Sequence, residues 1–440
     1  MEENRGILFL SHQGFSFIED LTRIAGKLGF ESYLLSSKPN PQSLNRIEHI
    51  HSLGHWLRVS KKDSLSRGDV LGALTSLKES GKKVLACMTV WEGYRLLMSD
   101  ANSILKANDE SSETIQVLLD KYRLRQSLRK AGLSKVRSRI LTKNRFESLS
   151  KENQACFVKP RSGLGSFGAF RIDDQTTWQQ ILKLKREMVS DREYASVFES
   201  SRDFIVEDYI GGVELSFETL VVEGEAHFPA IHEKLETEQM GCSTMENTSV
   251  SPPVSLEEAG VRSGMGFIQS CLQALGIRTG CYHIEAKYLA STNQWEVIEI
   301  NPRLGGALIK ESVFELTEGV ELIEEWMRII LSAPRYTKQL KLRASQSSPV
   351  GKQKTGPKNG TFFRVYFGEP GRTVKEIGPT RKGPAPHIIK VAVKNGTQLS
   401  DSSHEIFLGQ ALWKFPISEF GLRIPEILKL SKETLEVKYA

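Results

Sequence analysis

No apolar run in the 440 residues approaches the roughly 18 needed to cross a bilayer, so a membrane-spanning role is not expected. The opening Met1-Glu2-Glu3-Asn4 lacks the basic start of a signal peptide, which makes a cytoplasmic location the default expectation. Cysteine is sparse: five residues, at positions 87, 156, 242, 271 and 281, with no Cys-x-x-Cys pair. That odd, scattered set argues against a disulfide framework and against a structural zinc site. A Gly-x-x-x-x-Gly-Lys-Ser/Thr run is absent, which excludes a P-loop. No glycine fingerprint follows the first predicted strand, so the N-terminal part is not read as a dinucleotide site. Neither a Ser-His-Asp nor a Cys-His constellation can be placed.

What is present is an ordinary globular composition, with 39% hydrophobic and 25% charged residues and a net charge of +6. The length accommodates two to four domains. The positive excess is local. Seven Lys and Arg residues, and no acid, fall between Ser332 and Gly360. The Ser, Gly, Pro and Gln among them read as a solvated linker over 332–359, and no nucleic-acid partner is expected. Before it, apolar strands at Gly6–Leu10, Phe30–Leu35 and Lys83–Met88 alternate with helical spacing, as at Ile18–Leu28. This predicts a parallel α/β domain over 1–112. Helices are predicted over Lys121–Lys130, Trp178–Met188, Leu256–Leu275 and Ile309–Leu331, with strands dominating Cys156–Asn301. Short strands and turns after Gly360 predict a small mixed domain over 360–440.

Three segments carry chemistry. The first is Lys159-Pro160-Arg161-Ser162-Gly163-Leu164-Gly165-Ser166-Phe167-Gly168. Strands are predicted on both sides of it, at Cys156–Val158 and Ala169–Ile172, where a Rossmann fingerprint would need a following helix. Strand, glycine loop, strand describes a flap whose backbone N–H groups can approach phosphate oxygens, with Lys159 adding a cation. A plain glycine hairpin is the alternative. In the second, Phe204–Glu214, an apolar strand runs into Glu207-Asp208-Tyr209-Ile210, two glycines and Glu214. An adenine could lie against such a turn, with a carboxylate downstream for ribose hydroxyls, although an ordinary hairpin turn has the same appearance.

The third segment is a hairpin of Cys281–Leu289 and Trp295–Asn301 about a turn at 290–294. Its symmetry puts Glu285 opposite Glu299. Strict alternation puts Val297, Glu299 and Asn301 on one face, and His283 on the face of Glu285. Two carboxylates about 5 Å apart repel unless a cation lies between them, and Mg²⁺ suits such oxygen ligands. Asn301 adds a neutral oxygen, and Arg303 can reach an anion nearby. An exposed hairpin edge with harmless acids is the bland alternative, which the apolar neighbours Val297, Ile298 and Ile300 oppose.

In this order, and with Asp120-Lys121 upstream, the segments resemble the ATP-grasp superfamily over about 116–331, and within it the branch of L-amino acid ligases, carbamoyl-phosphate synthetase and biotin carboxylase. The most specific piece is Glu285 followed by Glu299-Ile300-Asn301-Pro302-Arg303. The resemblance implies an α/β (α+β) ATP-grasp fold: an N-terminal parallel α/β domain, an ATP-grasp domain over 113–331 with a glycine-flap lid at about 137–204, an antiparallel-sheet core and the C-terminal mixed domain. It implies ATP contacts from Lys121, Lys159, Ser162, Gly163, Gly165, Ser166, Gly168, Glu207, Tyr209, Ile210 and Glu214. Mg²⁺, with Mn²⁺ as an alternative, would be held by Glu285, Glu299 and Asn301, and Arg303 would be catalytic. Glu246, Ser249 and His283 are candidate substrate contacts. Ser249 stands where the amino acid ligases commonly carry a histidine, which puts the standard dipeptide substrates in doubt. The implied activity is amide formation between small carboxylate and amine substrates, expected to be amino acids, through an acyl phosphate, with a homodimer as the expected assembly. A bicarbonate-using carboxylase and a non-catalytic ATP-binding regulatory module are the competing readings.

Overall fold

The computed structural model describes every residue except 1–4, 16, 41–44, 153–154, 193, 200, 332–356 and 402, so most of the basic segment 332–359 lies outside the described residues. The chain begins with a four-stranded parallel sheet in the order Trp56–Val59, Glu31–Ser36, Arg5–Ser11, Lys83–Met88. Its central strands are buried along nearly their whole length, not on alternate residues. That explains why they read as continuous apolar runs: helices between parallel strands cover both faces.

A second, small sheet is antiparallel, in the order Ser138–Ile140, Phe204–Asp208, Cys156–Pro160, Phe170–Arg171. The helix Trp178–Ser190 starts at a reciprocal cap between Thr177 and Gln180. Its buried residues Ile181, Leu184 and Met188 share one face and pack with Phe167, Phe170 and Phe204.

The centre is an eight-stranded antiparallel sheet in the order Gln294–Asn301, Gly280–Leu289, Val213–Val222, Glu225–Met240, Ser243–Ser251, Asn359–Phe367, Phe407–Pro416, Ile388–Val391. The strand Asn359–Phe367 pairs directly with Ser243–Ser251, so the C-terminal residues continue the central sheet. Val261, Ile268, Cys271 and Leu272 of the helix Glu258–Ala274 seal one face against Phe217, Ile284 and Trp295. Among the described residues no helix is long and apolar enough to cross a membrane.

Two sequence expectations change. The helix predicted over Ile309–Leu331 is two helices, Ile309–Leu316 and Leu322–Ile330. Between them Glu318 and Gly319 take φ values of 55° and 120°, which a right-handed helix cannot contain. The hairpin does pair Glu285 with Glu299, but the next pair is Ala286 with Val297. The extra residue is a β-bulge that breaks the alternation. Val297 is thereby turned into the helix-covered core, away from Glu299, while Ile298 and Glu299 border the cleft.

Candidate active site

A cleft of about 640 Å³ opens between the small sheet and the central sheet. The glycine loop roofs it, the hairpin carrying Glu285 and Glu299 lies beneath, and Trp91, Glu92, Glu405 and Phe407 reach it from the two ends of the chain.

Asp120 caps the helix Lys121–Lys130 by accepting from the backbone N–H groups of Tyr122 and Arg123. The same carboxylate receives Arg161 through Nε (2.9 Å) and Nη2 (2.7 Å), which moors the base of the loop. Lys121 Nζ then donates to the Gly163 carbonyl (2.9 Å) and pairs with Glu299 (3.1 Å). One ammonium therefore ties roof to floor. Burial works against its charge, but Glu299 lifts it above the ordinary lysine range. Within the loop Gly163, Gly165 and Ser166 line the cleft. Ser162 is turned to the Leu119 carbonyl (3.3 Å). Gly168, at φ 62°, lies so close to Phe204 that a Cβ would come within 2.8 Å of the ring. These last two shape the loop from behind the cleft wall.

Lys159 and Glu207 face each other across the small sheet, Nζ to Oε2 at 2.8 Å, and Arg125 reaches the other Glu207 oxygen at 3.1 Å. Burial disfavours a charged Glu207, but the two cations hold its carboxyl down at about 2. For Lys159 burial prevails over the pull of Glu207, and its ammonium falls below the usual range. The Glu207 side chain is thus spent on Lys159 and Arg125. Tyr209 and Ile210 border the cleft, and the Tyr209 ring lies under Arg171 (4.9 Å) and Lys287 (5.5 Å). Gly212, at φ 98°, passes so near the Tyr288 carbonyl that a Cβ would sit 2.2 Å from its oxygen. The bend into Glu214 requires glycine at that point.

On the floor, carboxylate oxygens of Glu214, Glu246 and Glu285 lie within 4.8 Å of one another. Lys234 sits among them, at 2.9 Å from Glu214, 2.9 Å from Glu285 and in a short contact with Glu246. Burial opposes the Lys234 ammonium, yet the three acids carry it well above the ordinary value. Glu285 is held low by Lys234 against its own burial, whereas burial, with Glu285 and Glu214 nearby, pushes Glu246 up. His283 bridges Glu218 (2.7 Å) and Glu285 (3.2 Å). Burial alone would leave it neutral; Glu218 and Glu285 raise it to about 10, so it is a cation at neutral pH. Ser249 is the register partner of Lys234 and also lines the cleft. His232 and Glu233, beside Lys234 in sequence, are occupied elsewhere: His232 meets Ser312 (2.8 Å), and Glu233 accepts from the backbone N–H groups of Val254 and Ser255.

Arg303 leaves the hairpin toward the N-terminal part, where Nε donates to Glu92 (2.9 Å). A run of stacked rings binds the walls together: His12 on Trp91 (4.4 Å), Trp91 near Tyr194 (5.8 Å), Tyr194 on His404 (4.4 Å) and His404 on Phe167 (4.4 Å). Trp91 Nε1 also donates to Ser196 (2.8 Å).

The donors suit a divalent cation. Glu285 and Glu299 offer hard oxygens, and both now lean on lysine ammonium groups that a metal could replace; Asn301 donates to Glu299 (2.8 Å), leaving its carbonyl oxygen for a ligand. Sequence reasoning left Arg125, Glu92, Lys287 and Glu405 unassigned. Arg125, Glu92 and Glu405 meet the site through pairing or packing across a long stretch of chain with no local motif around them, whereas Lys287 lies on the acid-bearing hairpin itself, two residues from Glu285.

Residues 152–311 match the family model described as an ATP-grasp domain. No curated protein matches the chain in sequence. Among solved structures, the chain is similar over 100% of both chains to the L-amino acid ligase from Bacillus licheniformis, with TM-score 0.74 and 17% identity. It is similar to phosphoribosylglycinamide synthetase from Anaerococcus prevotii over 99% of this chain and 100% of that one, with TM-score 0.64 and 14% identity. A biotin carboxylase from Campylobacter jejuni matches over 98% and 92%, with TM-score 0.65 and 12% identity. The domain match runs through the glycine loop, the hinge after Phe204 and the paired acids, so residues 152–311 match an ATP-grasp domain and the whole chain has the fold of these solved structures.

Proposed function

We propose that the protein is an ATP-dependent carboxylate–amine ligase that joins amino acids through an acyl phosphate and releases ADP and phosphate. The observation that carries this reading is the pairing of Glu285 with Glu299 on the cleft floor, with Lys121 linking Glu299 to the glycine loop. A site for a nucleotide triphosphate needs cations near the phosphates, oxygen ligands for a metal and a cover against water, and these residues have those properties.

In this reading Lys121 and Lys159 take phosphate oxygens, the backbone at Glu207–Ile210 borders the adenine, and Glu214 accepts from the ribose. Glu285, Glu299 and Asn301 would hold Mg²⁺, which when bound offsets phosphate charge as a Lewis acid. A substrate carboxylate oxygen attacks the γ-phosphorus and ADP departs. The amine nitrogen then attacks the acyl carbon, the carbon–oxygen bond to phosphate breaks, and phosphate leaves with the amine losing a proton. Arg303, oriented by Glu92, faces the charge that builds on the transferring phosphoryl and acyl oxygens. The glycine loop keeps water from the acyl phosphate.

ADP and phosphate release from Mg·ATP across pairs of L-amino acids, with mass spectrometry of the products, tests the reading. A product mass equal to the two acids minus water establishes it, and release by no pair sinks the amino acid assignment. Likeness to biotin carboxylase keeps a bicarbonate reading in view, and bicarbonate-dependent release without an amine would favour it. Nucleotide binding without turnover on any acid would favour a regulatory module.

A further inference from the structure

Among the described residues, each carboxylate lining the cleft has a cation within 4 Å, with the exception of Glu405. Glu405 instead accepts a hydrogen bond from the Ser166 hydroxyl of the glycine loop. One of its oxygens lies 3.8 Å from where a Cβ on Gly165 would be. Burial lifts its carboxyl to about 7, against the Ser166 hydrogen bond and the more distant pull of Lys234. The adjoining wall is apolar. Phe363, Val365 and Phe367 alternate onto one face of their strand and all line the cleft. Phe407, the register partner of Phe367, adds another side chain two residues from Glu405. A carboxyl group with no ion-pair partner, set beside a hydrocarbon wall and facing a cavity, complements an ammonium attached to an apolar group, whose charge would favour the ionised form.

Building on the ligase reading, we propose that Glu405 binds the α-ammonium of the amino acid whose carboxylate is activated, and that the wall from Phe363 to Phe407 takes its apolar side chain. An ammonium held by a carboxylate stays protonated and cannot act as the nucleophile, so the apolar residue becomes the N-terminal half of the product. A carboxylate has room to accept from Ser166 and from the ammonium together, and substrate capture then coincides with the closed position of the glycine loop.

The test compares L-leucine with 4-methylpentanoate, its analogue without the ammonium, by calorimetric binding in the presence of Mg²⁺ and the β,γ-imido analogue of ATP. The wild type should bind L-leucine at least about 10-fold more tightly, because a partly buried charge pair is lost in the analogue. Glu405→Gln, which keeps the shape and the Ser166 bond, should lose that preference. Glu405→Asp, which keeps the charge, should retain part of it, which separates loss of charge from damage to the fold. Equal binding or no binding of both compounds by the wild type, or a preference that survives in Glu405→Gln, overturns the proposal. Dipeptide formation by a protein without the preference would leave the ligase reading standing and sink only the role of Glu405. A Glu405-dependent preference in a protein that forms no amide would do the reverse.

Discussion

Replacing Glu207 with Gln removes the anion between two buried cations, Lys159 Nζ at 2.8 Å and Arg125 Nε at 3.1 Å. All three side chains are less than a tenth exposed, so solvent screens little of the loss. Burial resists the Glu207 charge, but the two cations bring its carboxyl from an ordinary 4.5 to about 2, and at about 1.4 kcal/mol per tenfold that is worth about 3 kcal/mol of folding stability. A depressed acid contributes its stability above the unfolded value and loses it on acidification. The contribution is therefore whole above about pH 4.5 and is gone near pH 2. Urea unfolding should show Glu207→Gln less stable by about 3 kcal/mol at pH 7, the order expected when one partner of a buried pair is deleted, with the gap closing toward pH 2. A second effect follows on Lys159, whose ammonium burial already pushes below the usual range. Without Glu207 it loses its proton more readily. Binding of the β,γ-imido ATP analogue should then weaken in the variant as pH rises from 6 to 9, while the wild type varies less. A variant with wild-type stability at pH 7 and a wild-type pH profile would refute the reasoning.

Glu299→Ala should abolish ADP release and leave circular dichroism unchanged; an active variant would sink the metal assignment. Gly212→Ala should destabilise by more than about 1 kcal/mol and weaken nucleotide binding, since its Cβ has no room beside the Tyr288 carbonyl, and an unchanged melting temperature would contradict this. Mg²⁺ with the β,γ-imido ATP analogue should raise the unfolding temperature of the wild type, and chelation with EDTA should remove much of the shift. Arg303→Lys keeps the charge but loses the planar fork, so ADP release should fall about 10-fold or more, read from steady-state rates.

The acid pair was legible because a hairpin is symmetric about its turn: locating the turn at 290–294 was enough to put Glu285 opposite Glu299. The same rule misplaced Val297, because one bulged residue leaves no mark in composition. Parallel strands were readable from their unbroken apolar runs. The break in the helix after Leu316 was missed because Glu318 adopts positive φ, which its residue type does not announce. Lys234 reaches the site while His232 and Glu233 beside it do not, and that choice rests on the placement of a 16-residue strand, which its sequence alone does not announce. Glu405 arrives from the segment just before the strand Phe407–Pro416, which is added to the far side of the sheet, and no spacing rule spans such a distance.

The ring stack from His12 through Trp91, Tyr194 and His404 to Phe167 joins parts of the chain that are hundreds of residues apart. A cover clasped at both ends cannot lift by yielding at one. Opening has to separate aromatic faces toward the N-terminal wall and toward the C-terminal segment in the same event. Exchange of whatever the cleft holds would therefore be gated in part by Tyr194 and His404, which do not line it, and a change as remote as His404 would be felt as a change in how often the cleft exchanges its contents with solvent.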